Sequence, residues 1–165
     1  MTDAVRLRWH HVLCILNHGG DSHTPAHAAH IGRIIRKIEG GAAIKITAGA
    51  DDICGGFAAG DAIRCNHAMS CDRNRTLRML DQWARADICA ALQIPALQAG
   101  GDLVLKTGEI KQLRLAYAAG RARTACGACR WKDACAEMAG KNYQGARLWP
   151  DAVPGRWPFV ASLLP

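Results

Sequence analysis

Eight cysteines in a chain of 165 residues limit what it can fold into more than any other feature. Met1 to His11 carries Asp3, Arg6 and Arg8 and shows neither the apolar core nor the small-residue cleavage site of a secretory leader, so a cytoplasmic location is expected. In that reducing compartment thiols serve as metal ligands far more often than as disulfides, although an even number is also what a secreted disulfide scaffold shows. Half of the residues are hydrophobic while only 5% are aromatic, and alanine and glycine supply much of the apolar count. A core of such small side chains packs helices closely but stabilises less per residue.

The length sets one domain as the default. The most apolar run, Ile88 to Leu105, is broken by Gln93, Pro95, Gln98 and Asp102, so it falls short of the ~18 uninterrupted residues of a membrane helix, and no membrane partner is expected. Trp9 to Asn17 reads as a short helix ended by Gly19-Gly20-Asp21. Thr24-Pro25 is a cap and first-turn pair, and Ile31, Ile34, Ile35 and Ile38 recur at helical spacing until Gly40-Gly41. Ala43 to Ala48 has the β-branched content of a strand, and Asp51 to Cys71 shows no period. Asp72 to Leu92 aligns Leu77, Leu80, Trp83, Ala84, Ile88 and Ala91 along one side of a long helix. Thr107 is expected to cap a further helix to about Ala119, and a cysteine-rich turn from Thr124 leads into a short helix from Trp131 to Ala139. The fold class is therefore mainly α with a small β element (α+β), a cysteine-rich body over residues 1–142 built around metal clusters, with a Pro/Trp-rich tail over 143–165 laid on it.

Cys126-x2-Cys129-x5-Cys135 is the sharpest local signal, since a tight turn at Gly127 lets three thiolates converge beside a helix start. Zinc sites normally present two close pairs, whereas this is a triad plus scattered single cysteines, so iron–sulfur ligation is preferred and zinc is the alternative. Cys14, Cys54, Cys65 and Cys71 make a second set of four. Counting by helical turns places Cys89 with Arg85, Gln82 and Arg78 on a polar helix side, where it is either the fourth ligand of the triad or a surface thiol. Two [4Fe–4S] clusters would lower the formal charge of +7 to about +3.

Seven histidines cluster toward the N-terminal half. His23, His27 and His30 fall at i, i+4 and i+7, and the latter pair can share a helix face, which in isolation fits solvated residues better than a metal site. His10 and His11, one turn before Cys14, are better placed to hydrogen-bond or ligate a cluster, and Asp51 and Asp52 are candidates for the same work or for capping a turn.

Trp9-His10-His11-Val12-Leu13-Cys14, Asp51-Asp52-Ile53-Cys54 and Cys126-x2-Cys129-Arg130-Trp131-x3-Cys135, in this order, resemble a bacterial and archaeal family catalogued as domain of unknown function 1284. The resemblance spans roughly residues 6 to 137. It implies a cluster-binding protein whose ligands here are Cys14, Cys54, Cys65, Cys71, Cys126, Cys129 and Cys135, and it supplies no reaction. Gly55 to Arg64 separate Cys54 from Cys65, a departure from the family pattern, and Cys89 has no counterpart in it.

The expected function is electron transfer or a redox accessory role with a redox partner protein. The rival is an enzyme in which an open iron binds a small substrate and His10, His11, Asp51 or Asp52 carries the proton. A zinc-stabilised module is a third reading. Nucleic-acid binding is a fourth, because the C-x2-C-x5-C run resembles the cluster loop of DNA-repair glycosylases; Ala119 stands where that loop has its further cysteine.

Overall fold

The computed structural model describes residues 4–56 and 75–152. Three short strands form one sheet: β1 (Val5–Leu7) runs parallel to β2 (Ile44–Ile46), and β2 pairs antiparallel with β3 (Asp102–Leu103). Val5 lies opposite Ile44 and Leu7 opposite Ile46, and all four are buried while Arg6 and Lys45 point to solvent. The period of two thus aims one face of the sheet at the core. β1 and β3 have three and two residues, too short for their composition to announce them as strands.

Two helices connect the parallel strands. In α1 (Trp9–Leu16) every residue but His10, His11 and Cys14 is buried. Its N-terminus has no side-chain cap of its own, and two carboxylates from elsewhere in the chain supply one. Asp51 accepts the Arg8 N–H at 2.8 Å, and Asp81 accepts the His10 N–H at 3.3 Å. Both anions sit where the unpaired N–H groups and the helix dipole favour negative charge. α2 (Pro25–Glu39) begins as its sequence dictates: the Thr24 hydroxyl accepts from the His27 N–H at 3.1 Å, Pro25 opens the first turn, and Ile31, Ile34, Ile35 and Ile38 form its buried stripe.

α3 (Arg75–Leu92) packs against α1, against α4 (Thr107–Ala118) and against a one-turn 3₁₀ helix, Thr124–Cys126, that leads to α5 (Lys132–Gly140). Two sequence expectations change in this region. Cys89 is only 7% exposed and belongs to the hydrophobic core, whereas Trp83 is 41% exposed. A helix covered by three neighbours buries more than one stripe, so counting turns along a single side misassigns its flanks. Thr107 is the first residue of α4 rather than its cap; Lys106 takes the cap position, and its N–H donates to Glu109 Oε2 at 2.9 Å.

Arg114 on α4 is fully buried and anchors the segment that follows α5. Its guanidinium donates to the carbonyls of Ala152 (2.6 Å), Leu148 (2.6 Å) and Trp149 (3.1 Å), while the buried Tyr143 hydroxyl donates to the Arg114 carbonyl at 3.0 Å. No helix among the described residues is long and apolar enough to cross a membrane.

Candidate metal centre

Cys14 of α1 and the three cysteines of the turn that precedes α5 lie near enough to feel one another's charge. Cys126 closes the 3₁₀ turn, and its position is set by Asp87 of α3, whose carboxylate accepts the Thr124 N–H at 2.8 Å and the Thr124 hydroxyl at 3.1 Å. The chain then folds back on itself, with the Cys129 N–H donating to the Cys126 carbonyl at 3.0 Å and the Cys135 N–H to that of Trp131 at 2.9 Å. The Trp131 N–H points at the Cys129 sulfur at 3.4 Å. Tyr117 of α4 is buried beside the turn, and its hydroxyl pKa is raised first by burial and then by the charges of Cys126 and Cys135.

Cys14 completes this group. Its thiol is pushed well above the ordinary value, first by desolvation and then by the charges of Cys129, Cys126, Cys135 and Asp51. The Cys135 thiol is raised to about 11 by burial and by Cys126 and Cys129, and that of Cys126 is raised by burial against the lowering effect of the Tyr117 hydroxyl. Cys14 as a residue keeps exposed surface. None of the six described cysteines is in a disulfide.

A second group lies beside the first. Asp51 is 3% exposed and holds four donors: the Arg8 N–H and the His11 Nδ1 at 2.6 Å on Oδ2, and the N–H groups of Ile53 (3.1 Å) and Cys54 (3.2 Å) on Oδ1. Burial alone raises its pKa, but the His11 charge and hydrogen bond, with the N–H groups of Arg8 and Cys54, bring it to about 2. The carboxylate is therefore ionised and Nδ1–H is the donor. Donor atoms of His11, Asp51 and Cys54 all lie within 4.8 Å of one another.

The histidines of α2 hold this loop in place. His30 donates from Nε2 to the Asp52 carbonyl at 2.6 Å, and His27 from Nε2 to the Ile53 carbonyl at 3.0 Å, while its Nδ1 accepts from the Ser22 hydroxyl at 2.5 Å. Both nitrogens of His27 are thus engaged with protein atoms. His23 meets the Trp131 ring edge-on at 5.8 Å, linking the start of α2 to the cysteine turn. Gly56 fits against these rings, where a Cβ would come within 2.5 Å of His30 Cδ2 and 2.8 Å of His27 Cδ2. His10 turns the other way, to Asp81 at 2.7 Å, which also accepts from Arg8 Nη2 at 2.5 Å and Nε at 2.9 Å. Desolvation, the neighbouring His11 and Arg8 lower the His10 pKa and Asp81 raises it, with a net lowering that keeps the ring neutral.

Cys14 feels the charges of Cys126, Cys129, Cys135 and Asp51, Cys54 lies with His11 and Asp51, and Cys89 is packed in the core. Cys65, Cys71 and His67 lie outside the described residues. Asp52 is not part of the second group: its carboxylate accepts from the Arg6 N–H at 2.8 Å and pairs with the Arg6 guanidinium at 3.2 Å. Sequence reasoning missed Asp87 and Asp81, which act through hydrogen bonds to the cysteine turn and to α1, and Tyr117, buried beside that turn; none carries a local signature.

No curated protein and no solved structure matches the chain. A family match spans residues 23–135, taking in Asp51–Cys54 and the Cys126–Cys135 turn and beginning after α1. The chain belongs to that family, described as protein of unknown function (DUF1284).

Proposed function

We propose that the chain is an iron–sulfur protein in which Cys14, Cys126, Cys129 and Cys135 hold a [4Fe–4S] cluster, and that it carries electrons to or from a redox partner protein. What supports this reading is that Cys14 feels the charges of Cys126, Cys129 and Cys135, from a distant part of the chain, and that none of the four is in a disulfide.

Electrostatics makes the group a demanding one. Cys14, Cys126 and Cys135 each resist ionisation because burial and neighbouring sulfurs oppose a further negative charge. Ligation requires thiolates, so whatever binds must bring compensating positive charge, as a 2+ cluster core does. The residues fit that group in number and type, and the N–H of Trp131 supplies a hydrogen bond of the kind that tunes cluster sulfurs. When bound, such a cluster takes up and releases one electron. Four cysteines leave none of its four irons open, which favours electron carriage over substrate binding. Cys14, exposed at the edge of α1, brings the site to the surface where a partner can approach.

The test is anaerobic purification with iron, zinc and acid-labile sulfide counted per chain and the visible spectrum recorded. About four iron and four sulfide are expected, lost in Cys14→Ser and Cys129→Ser and retained in Cys89→Ala. Zinc without sulfide would overturn the reading and leave a zinc-stabilised module.

A further inference from the structure

Beside the four thiols stand His11, Asp51 and Cys54. These three present a nitrogen, an oxygen and a sulfur donor whose atoms lie within 4.8 Å of one another. We infer that they form a separate site for one borderline divalent cation of the zinc or ferrous type. Imidazole, carboxylate and thiolate together suit such ions, whereas calcium and magnesium require oxygen donors throughout.

The three donors are held by structure that does not depend on the ion. Asp51 is tied to the backbone at three N–H groups, those of Arg8, Ile53 and Cys54, so it joins the start of α1 to the loop after β2. His11 is carried by α1, and its ring already lies 2.6 Å from the Asp51 carboxylate. The loop bearing Cys54 is fixed from its other side by His27 and His30 through the carbonyls of Ile53 and Asp52. A donor set positioned by neighbouring hydrogen bonds needs little reorganisation on binding, which is the arrangement that orients ligands in metal sites. A cation between His11 and Asp51 takes the place of the proton that now bridges them, so on ligation the Cys54 thiol and the His11 Nδ1–H each release a proton to solvent.

His11 and Cys14 are three residues apart on α1, so the two centres would be adjacent while drawing on different side chains. The inference does not rest on the cluster. The full chain, reconstituted anaerobically with iron and sulfide, is exposed to excess Zn²⁺ and desalted, and zinc, iron and sulfide are counted; Zn²⁺ affinity is then measured by competition with a chromophoric chelator. One zinc per chain beyond the cluster is expected, with Cys54→Ser and His11→Gln each binding it at least about 100-fold more weakly while iron and sulfide stay unchanged. The zinc X-ray absorption of the wild type should show one sulfur among nitrogen and oxygen neighbours.

If the cluster reading fails, wild type will carry zinc at both centres and these two variants will lose one zinc while Cys129→Ser loses the other, so the two ideas separate. Equal zinc uptake in wild type and both variants, no extra zinc in wild type, or iron falling in Cys54→Ser in place of zinc would each overturn the inference.

Discussion

Replacing Asp51 by Asn tests whether this carboxylate organises the site. An amide keeps one acceptor oxygen and turns the other into a donor, so two of the four N–H groups that now meet Asp51 would face another N–H. Hydrogen bonds to a charged acceptor are worth ~1.5–3 kcal/mol each, which places the loss of two at about 3 kcal/mol or somewhat more. The titration behaviour gives a separate figure. A carboxyl held at about 2 in the folded chain, against ~3.9 when unfolded, contributes roughly 2.5 kcal/mol at neutral pH.

Because the folded value is depressed, this contribution is complete above the unfolded value and is lost as the pH falls through about 4 toward 2. The assay is urea unfolding of the metal-free chain and of Asp51→Asn, followed by far-UV circular dichroism between pH 7 and pH 3, so that no bound cation contributes. The variant should be less stable by about 3 kcal/mol at pH 7, with the gap narrowing toward pH 3. A loss below about 1 kcal/mol at pH 7, or a gap that stays constant with pH, would refute the role argued for the carboxylate.

Gly56→Ala should destabilise by ~1–3 kcal/mol in thermal melts, since the added Cβ meets the His27 and His30 rings and displaces the two hydrogen bonds that hold the Cys54 loop. Asp81→Ala leaves the Arg8 guanidinium, 1% exposed, without its carboxylate, and should cost about 3–5 kcal/mol; the double substitution Arg8→Met, Asp81→Leu should recover most of it in the same denaturation assay. Cys89→Ala should cost only about 1 kcal/mol and leave the thiol-reactive surface of the native protein unchanged in a thiol-labelling assay, as expected of a cysteine that packs like a small hydrophobe.

Local rules carried the helices. Thr24-Pro25 and the isoleucine stripe define α2 because a cap, a fixed first φ and a single buried face act within a few residues of one another. The same locality explains what escaped. β1 and β3 exist through the partners that β2 provides, and two or three residues hold no period of their own. Cys89 and Trp83 exchanged places relative to the single-stripe reading, because α1, α4 and the 3₁₀ turn all lean on α3 and only the assembled fold decides which flank they cover.

The site was legible as a set of residue types and illegible as a partition. The C-x2-C-x5-C run marks three thiols because turn geometry alone brings them together, but nothing in the chain says which distant cysteine joins them. Counting helical turns left Cys89 as either that ligand or a surface thiol; the packing of α1 offers Cys14, since burying Val12, Leu13, Ile15 and Leu16 leaves position 14 exposed on that helix. The same rotation turns His11 toward Asp51 and His10 toward Asp81, so one short helix places a thiol and two imidazoles against three different sets of partners. Two neighbouring histidines with separate carboxylates are then a consequence of the 100° step between residues, which sends adjacent side chains to different neighbours. A swap of His10 and His11 for glutamine one at a time should therefore give unlike results: His10→Gln loosens the Arg8–Asp81 contact with α3, while His11→Gln leaves that contact intact and removes a donor beside Cys54.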